Sequence, residues 1–249
     1  MNEIVQGIIL KQIDYKDYDV ILSVFTREYG KISLVAKGTR RINSKNASSL
    51  IPNSKAEFQF NYQDNKSIFS LKTARTINLY RNLHENIESY MASSIISELI
   101  DALTMQEGYE DSNEIMTILE NSFSFLNDGE NTQLVLALAI VDIMKCFGYE
   151  PDVDECVNCG NTRVVSFSAK EGGFVCENCA NTLSISHMKS DDLRRIRILV
   201  KSGLNHLSDI KDLIIVKQSD INLFYKMIEL HGGIHINSFS LFNKLFAIE

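Results

Sequence analysis

Apolar and polar positions alternate along the first eighty residues, and the period then changes. Ala56-Glu57-Phe58-Gln59-Phe60-Asn61-Tyr62 alternates throughout, and Lys31-Ile32-Ser33-Leu34-Val35-Ala36 does so at its start. Period-two alternation marks strands with one buried face. Residues 5–11 and 20–25 are rich in β-branched residues, and Ser67-Ile68-Phe69-Ser70-Leu71-Lys72 alternates in part. A turn falls at Glu28-Tyr29-Gly30, and a loop rich in Ser, Asn, Lys and Arg fills residues 38–53. Five short strands in about 75 residues suit a small closed or partly open barrel, and an OB-type barrel is the size match.

From about residue 82 the period is helical. Ile87, Met91, Ile95, Leu99 and Leu103 recur every fourth position, with Ile96 and Ile100 beside them. Ser112 or Asn113 is expected to cap a second helix carrying Ile115, Ile118, Leu119 and Phe123. Asn131 caps a third, running to about Phe147, where Gly148 and then Pro151 form a stop signal. Ser190 is expected to cap a helix with Asp191 and Asp192 in its first turn, where the macrodipole favours acids. Ser219 or Asp220 caps another, ending at His231 before Gly232-Gly233. The stretch from Phe239 to Phe246 is amphipathic and is expected to dock on the helical unit. The fold class expected is therefore multi-domain α+β. An OB-fold barrel over 1–80 precedes a helical domain over 81–249, which an insert at about 153–182 interrupts.

That insert carries the strongest chemistry. Cys156, Cys159, Cys176 and Cys179 form one C-x2-C-x16-C-x2-C array. Two Cys-x-x-Cys hooks supply two thiolates each, and the spacer lets the second fold back on the first, as a tetrahedral Zn²⁺ requires. Gly160 lets the backbone curl toward the sulfurs. Residues 164–167 and 174–175 read as two short strands, with Gly172-Gly173 turning the chain between them, so the array describes a zinc ribbon. Two disulfides are the alternative, but residues 1–10 lack the basic start and long apolar run of a secretory signal. A redox Cys-x-x-Cys usually comes singly, beside a βαβ pattern. Four thiolates leave no open coordination position, so the metal is expected to stabilise and not to catalyse. Cys146, in an apolar helical run, reads as a buried thiol.

Whole-chain numbers narrow the picture. The 249 residues are 45% apolar with two prolines, the balance of a globular chain holding one large domain or a few small ones. The longest apolar stretch, residues 134–141, is too short to span a bilayer. The formal charge of −7 argues against nucleic acid until it is divided: residues 1–80 carry +5, 81–155 carry −14 and 156–249 carry +2. Charge acts over about a Debye length, roughly 8–10 Å, so a basic face on the first unit remains open as an anion site. It is equally open to reading as ordinary solvated surface.

No catalytic motif appears: no G-x-S-x-G, P-loop, H-E-x-x-H or dinucleotide glycine fingerprint is present. The five histidines are scattered, and His231 and His235 are separated by a helix-breaking Gly232-Gly233. The chain is not expected to be an enzyme. The loop is more suggestive. Lys37, Arg40, Arg41 and Lys45 cluster on and after a strand end, with Lys31 upstream, and loops of such barrels contact oligonucleotides. These cations suit phosphates, and Thr39, Ser44 and Asn46 can add neutral hydrogen bonds. Tyr15, Tyr18, Tyr29, Phe58, Phe60 and Tyr62 lie in the same unit; any that are exposed can stack bases, and Phe58 and Phe60 read as core. A second basic cluster, Arg194, Arg195, Arg197 and Lys201, is a candidate partner-binding site, or a solvated helix face.

Three stretches together resemble the RecO family of bacterial recombination mediators. They are Thr26-Arg27-Glu28-Tyr29-Gly30-Lys31-Ile32-Ser33 with Ala36-Lys37-Gly38-Thr39-Arg40-Arg41 and Ser44; Gly148-Tyr149-Glu150-Pro151 with Cys156-Val157-Asn158-Cys159-Gly160; and Gly172-Gly173-Phe174-Val175-Cys176. The likeness covers about residues 4–180. It departs at Tyr15-Lys16-Asp17, where the family usually has Tyr-Gly-Glu, so that turn must be built without its glycine. Some relatives lack the cysteines, which implies a structural metal.

The resemblance implies an OB-fold N-terminal domain, a helical C-terminal domain and an inserted zinc finger. It implies binding of single- and double-stranded DNA and annealing of complementary strands. The partners implied are the single-stranded-DNA-binding protein, RecR and, indirectly, the RecA filament, at a cytoplasmic, nucleoid-associated location without a membrane. The rival classes are a zinc-ribbon accessory protein acting through protein contacts only, and an enzyme with an unrecognised site.

Overall fold

The computed structural model describes residues 2–44, 46–63, 66–105 and 111–246. Strands β1 (Asn2–Tyr15), β2 (Asp19–Thr26), β3 (Gly30–Ala36), β4 (Lys55–Asn61) and β5 (Ile68–Asn78) close into a barrel in the order β1-β2-β3-β5-β4. Every neighbour pair is antiparallel except β3 with β5. The alternation is realised as read: Ile32, Leu34, Ala36, Ala56, Phe58 and Phe60 point inward and are buried. Val5, Ile9, Val20, Leu22, Val24, Leu50, Phe69 and Leu71 complete the core.

β1 is long because it serves two neighbours, pairing with β4 through its first half and β2 through its second. A register shift between Ile9 and Lys11 lets it bend between them. Gly7 pairs with both strands, and a Cβ there would stand 2.6 Å from the Phe25 carbonyl oxygen and 2.7 Å from Val24 Cγ1. Close backbone approach demands the glycine. The glycine-free first turn is achieved by Lys16 itself, which adopts φ +54°. This left-handed conformation costs a side-chain-bearing residue about 1–2 kcal/mol.

Helices α1 (Arg81–Glu85), α2 (Ile87–Leu103) and α3 (Ser112–Asn127) join the barrel in one compact unit that ends at Gly129. The strand-to-helix change falls near residue 80, but the compact boundary falls at 129/130. Polar ties across the first unit explain the difference. Asn53, buried at φ +60°, donates to Ser93 Oγ at 3.0 Å and Ser94 Oγ at 3.2 Å, and accepts from Ser97 Oγ at 2.7 Å. Asp101 of α2 accepts from Ser23 and pairs with Lys31 at 3.2 Å. Glu120 of α3 takes Lys55 at 2.8 Å together with Arg27. Burial raises the Glu120 carboxyl, but hydrogen bonds from Lys55 and Arg27 outweigh it and hold it below the usual carboxylate value. Part of the +5 is thus neutralised inside the unit. Asp111 caps α3, accepting from the Asn113 and Glu114 amides. The expected caps Ser112 and Asn113 lie inside the helix, because Asp111 is the residue with extended backbone and an oxygen within reach.

The second unit covers 130–249. It holds α4 (Thr132–Cys146), β6 (Val164–Ser168), β7 (Gly173–Cys176), α5 (Glu177–Leu183), α6 (Ser190–Ser202), α7 (Leu207–Ile210), α8 (Gln218–Gly232) and α9 (Asn237–Phe246). Residues 134–141 of α4 are buried on every side, so the apolar run is the centre of a helical core. Among the described residues no helix is long and apolar enough to cross a membrane. Asn131 caps α4 as expected, and Gly148 follows it at φ +74°. Lys189, not Ser190, precedes α6, and Lys217 precedes α8, with Ser219 and Asp220 inside the helix. Asp220 still accepts from the Lys217 amide, but its carboxylate mainly faces Arg195. The amphipathic end docks as expected: in α9, Phe239 stacks on Tyr225 at 3.7 Å and Phe242 is fully buried.

Candidate nucleic-acid interface and metal centre

The four cysteine sulfurs converge. One ligand atom from each of Cys156, Cys159, Cys176 and Cys179 lies within 4.8 Å of all the others. Sulfurs about 2.3 Å from a tetrahedral ion are about 3.8 Å apart, so the cluster fits a metal. None of the four is in a disulfide. The first hook is shaped by amides of Cys159 and Gly160 that both bond the Cys156 carbonyl, with Gly160 at φ +71°. The second hook is made by helix α5, which begins directly after Cys176 and carries Cys179 in its first turn. Burial raises the Cys156 thiol, but the backbone N–H groups of Cys176, Asn158 and Cys159 outweigh it and bring it down to about 6. Hydrogen bonds with the Cys159, Cys156 and Cys176 sulfurs push Cys179 up to about 12. Crowded sulfurs cannot all ionise without a cation between them, and a metal supplies one. Gly173 does more than turn the chain. A Cβ there would lie 2.2 Å from the Asp152 carbonyl oxygen, where the Asp152 amide donates to the Gly172 carbonyl and the Phe174 amide donates to the Asp152 carbonyl.

Three cations of the second basic cluster are paired within their own unit. Arg197 Nη1 donates to the Val153 carbonyl at 2.9 Å, and Arg197 and Lys201 pair with Asp154 at 2.9 and 2.7 Å. They stitch α6 to the segment entering the ribbon. Arg195 is buried, held by Asp220 at 2.6 and 3.0 Å and Asp192 at 2.7 Å. Each of these three cations meets a carboxylate distant in sequence. Arg194 and the ion-paired Arg195 line an open groove of about 540 Å³, with Asp191, Ile198, Leu213, Ile214, Ile215 and Lys217. Leu213 is 72% exposed and Ile215 87%.

The loop after β3 is built to present charge. Gly38, at φ +64°, donates to Asp19 Oδ1 at 2.8 Å, and the Arg40 amide donates to the Tyr18 carbonyl at 3.0 Å. Lys37, Arg40 and Arg41 are exposed; Arg40 meets Asp14 at 3.1 Å, and the Arg41 guanidinium lies 5.1 Å from the Tyr18 ring centroid. With Tyr18, Ile42 and Ser44 these three line a shallow depression of about 840 Å³. A neighbouring depression of about 300 Å³ shares Lys37 and adds Tyr15, Lys16, Lys66 and Ile68. Tyr15 is exposed there and Tyr18 in the first depression, the Lys16 ammonium stands 5.1 Å from the Tyr15 ring, and Tyr62 stacks with both Tyr29 and Phe69.

Two expected contacts turn inward, and a third, Asn46, lines the depression while it braces the loop. Lys31 is mostly buried against Asp101. Thr39 is buried with its hydroxyl on the Ala36 carbonyl, and the Asn46 amide braces the loop to β5 through Lys72 and Ala74. Lys45 lies outside the described residues. Lys16 and Lys66 are additions. Each is a lone cation in its own turn, and only barrel closure brings the β1–β2 and β4–β5 turns beside the β3 end.

Comparison with known proteins agrees with this arrangement. Residues 1–80 match the family described as recombination protein O N terminal, and residues 84–211 match recombination protein O C terminal. The chain is 24% identical over 242 residues to the DNA repair protein RecO of Halalkalibacterium halodurans, covering 96% of this chain and 94% of that one. It is 29% identical over 210 residues to the protein of that name from Caldicellulosiruptor saccharolyticus, covering 83% of each. The Mesoplasma florum protein is 28% identical over 191 residues, covering 75% of this chain and 71% of the other.

Proposed function

The chain belongs to the recombination protein O family, and from that premise we propose that it is a DNA-binding recombination mediator. It anneals complementary single strands and helps load a RecA recombinase onto strands coated by single-stranded-DNA-binding protein, with RecR as a further partner. The observation that carries this reading is the sorting of the barrel's cations. Arg27, Lys31 and Lys55 are neutralised by Glu120 and Asp101, while Lys16, Lys37, Arg41 and Lys66 face solvent beside Tyr15 and Tyr18. Cations on one rim hold backbone phosphates and lower the repulsion between two strands, while aromatic rings stack bases without reading their edges. Base-pairing edges then stay free to find their complement. No step of this activity needs a catalytic group.

The metal we propose for the four cysteines is Zn²⁺, since all-sulfur tetrahedral sites favour it. Its role is structural, because the thiolates fill the coordination shell.

Annealing of two complementary oligonucleotides, with and without single-stranded-DNA-binding protein, tests the proposal. Acceleration that survives coating of the strands is expected. Changing Lys37, Arg40 and Arg41 together to Glu should weaken DNA binding and flatten its salt dependence by about one unit of slope per lost contact. Unchanged affinity in that variant removes the loop from the interface. No binding by the unaltered protein at low salt removes the DNA reading and leaves an accessory protein acting through protein contacts.

The groove beside Arg194 has the chemistry to take an acidic peptide with apolar end residues, such as the tail of the single-stranded-DNA-binding protein. Arg194→Glu should weaken a peptide of that kind about tenfold, measured by fluorescence anisotropy. An unaltered affinity returns Arg194 to the solvated surface.

A further inference from the structure

Ile42 is fully exposed, at 103% of its reference area, in the middle of the most basic loop of the barrel. An aliphatic side chain gains nothing from water, and among the described residues of the first unit nothing covers this one. The loop that carries it is not slack. The Arg41 amide donates to the Gly38 carbonyl at 3.1 Å and the Ser44 amide to the Arg41 carbonyl at 3.0 Å, closing two consecutive turns, the second of which carries Ile42. The Thr39 hydroxyl anchors the loop's start on the Ala36 carbonyl, and the Asn46 side chain pins its end to β5. Arg40 and Arg41 precede Ile42 directly, and Arg41 is steadied over the Tyr18 ring.

An apolar wedge beside cations is an arrangement with which proteins enter a base step. The cations take phosphates on either side while the aliphatic group replaces part of the lost stacking. A branched aliphatic chain has no π-face, so it suits insertion between paired bases better than stacking on one free base. We propose that Ile42 inserts between base pairs of bound duplex DNA and kinks it, with Arg40, Arg41 and Lys37 on the flanking phosphates. The inference rests on the DNA-binding reading above and extends it from charge to shape. It makes the loop a sensor of newly formed duplex, since a flexible single strand offers no stacked step to open.

The test compares the unaltered protein with Ile42→Ser on a duplex carrying 2-aminopurine at a flexible TA step, and on a single strand of the same sequence. The unaltered protein should raise the probe's fluorescence on the duplex. Ile42→Ser should lose that rise and about tenfold in duplex affinity, and keep the slope of affinity against salt, because no phosphate contact is removed. Its single-strand affinity and melting temperature should not move, since Ile42 packs on nothing. Ile42→Leu should restore the rise. A rise that persists in Ile42→Ser, or duplex binding by the unaltered protein without any rise, overturns the wedge while leaving the charged interface standing. No duplex binding at low salt overturns both. Loss of binding to a protein partner by Ile42→Ser, with the duplex signal intact, assigns the residue to a protein contact and overturns the proposal.

Discussion

Stripping the metal with a chelator, or replacing Cys176 by Ser, should unfold the ribbon and leave the barrel intact. The reason is the size of the ribbon's own core. Among its buried residues Cys156, Val175, Cys176 and Ala180 form the centre, with Val157, Val164, Val165, Cys179 and Ile185 packed around them. Three of the nine are ligands, four valines and one isoleucine supply most of the apolar area, and a two-stranded sheet of β6 and β7 gives little independent stability. Structural zinc contributes an apparent 10–16 kcal/mol in small finger domains, enough for a bound metal to set the fold here. Hydrogen exchange is the measurement. Protection of amides in β6 and β7 should fall about a thousandfold or more without metal, while that in β1–β5 is retained. Metal content should fall from one equivalent per chain to none. Native-like protection in the metal-free protein would sink the assignment. Gly173→Ala, which brings a methyl against the Asp152 carbonyl, should give a milder version of the same loss. The annealing proposed for the barrel should persist in the metal-free protein, because the charges proposed to carry it belong to other strands.

The second large effect is expected from Asp220→Ala. Arg195 is 8% exposed and donates two hydrogen bonds to Asp220, with Asp192 as a third contact. Hydrogen bonding to Asp220, opposed by burial and aided by Asp192, raises Arg195 far above its ordinary value. Removing Asp220 strands a buried charge and unties the Lys217 amide as well. Breaking a buried pair in this way costs about 3–5 kcal/mol. For a unit of this size that lowers the melting temperature by about 10–20 °C, with little change in metal content. The double change Arg195→Met with Asp220→Leu should recover most of the loss, because an apolar pair of similar volume escapes the desolvation penalty. A loss under about 1 kcal/mol for Asp220→Ala would show that water reaches the pair. The same geometry explains why Arg195 is a poor candidate for partner contact: its charge is already satisfied inside the unit.

Some features were legible because their causes are local. Cysteine spacing sets which sulfurs can meet, so the array announced the metal site without any knowledge of what surrounds it. Alternation at Ala56–Tyr62 fixes which side chains share a face, so Phe58 and Phe60 were placed correctly in the core. Helix caps were legible only to within a residue or two. Asp111 was passed over for Ser112, and Ser190 proved to follow the cap, because backbone conformation decides between adjacent polar residues.

Charge was the least legible property. Lys31, Arg195, Arg197 and Lys201 looked like free cations, and each meets a carboxylate brought in from afar. Lys31 reaches Asp101 at 70 residues' separation, and Lys201 reaches Asp154 at 47. A Coulomb partner is chosen by distance in space, and sequence records only distance along the chain. Lys16 and Lys66 erred in the opposite direction. Each stands alone in sequence, yet barrel closure sets both beside Lys37.

Local pattern therefore determined the five strands, the helical remainder, the four thiolates and the presence of a basic loop, because periodicity and spacing act over a few residues. Tertiary structure alone decided which cations are neutralised and which stay free, that the first three helices belong with the barrel, and that Ile42 stands uncovered at the loop's tip. Those outcomes depend on which distant segments share a surface, and burial and Coulomb energies are settled only there.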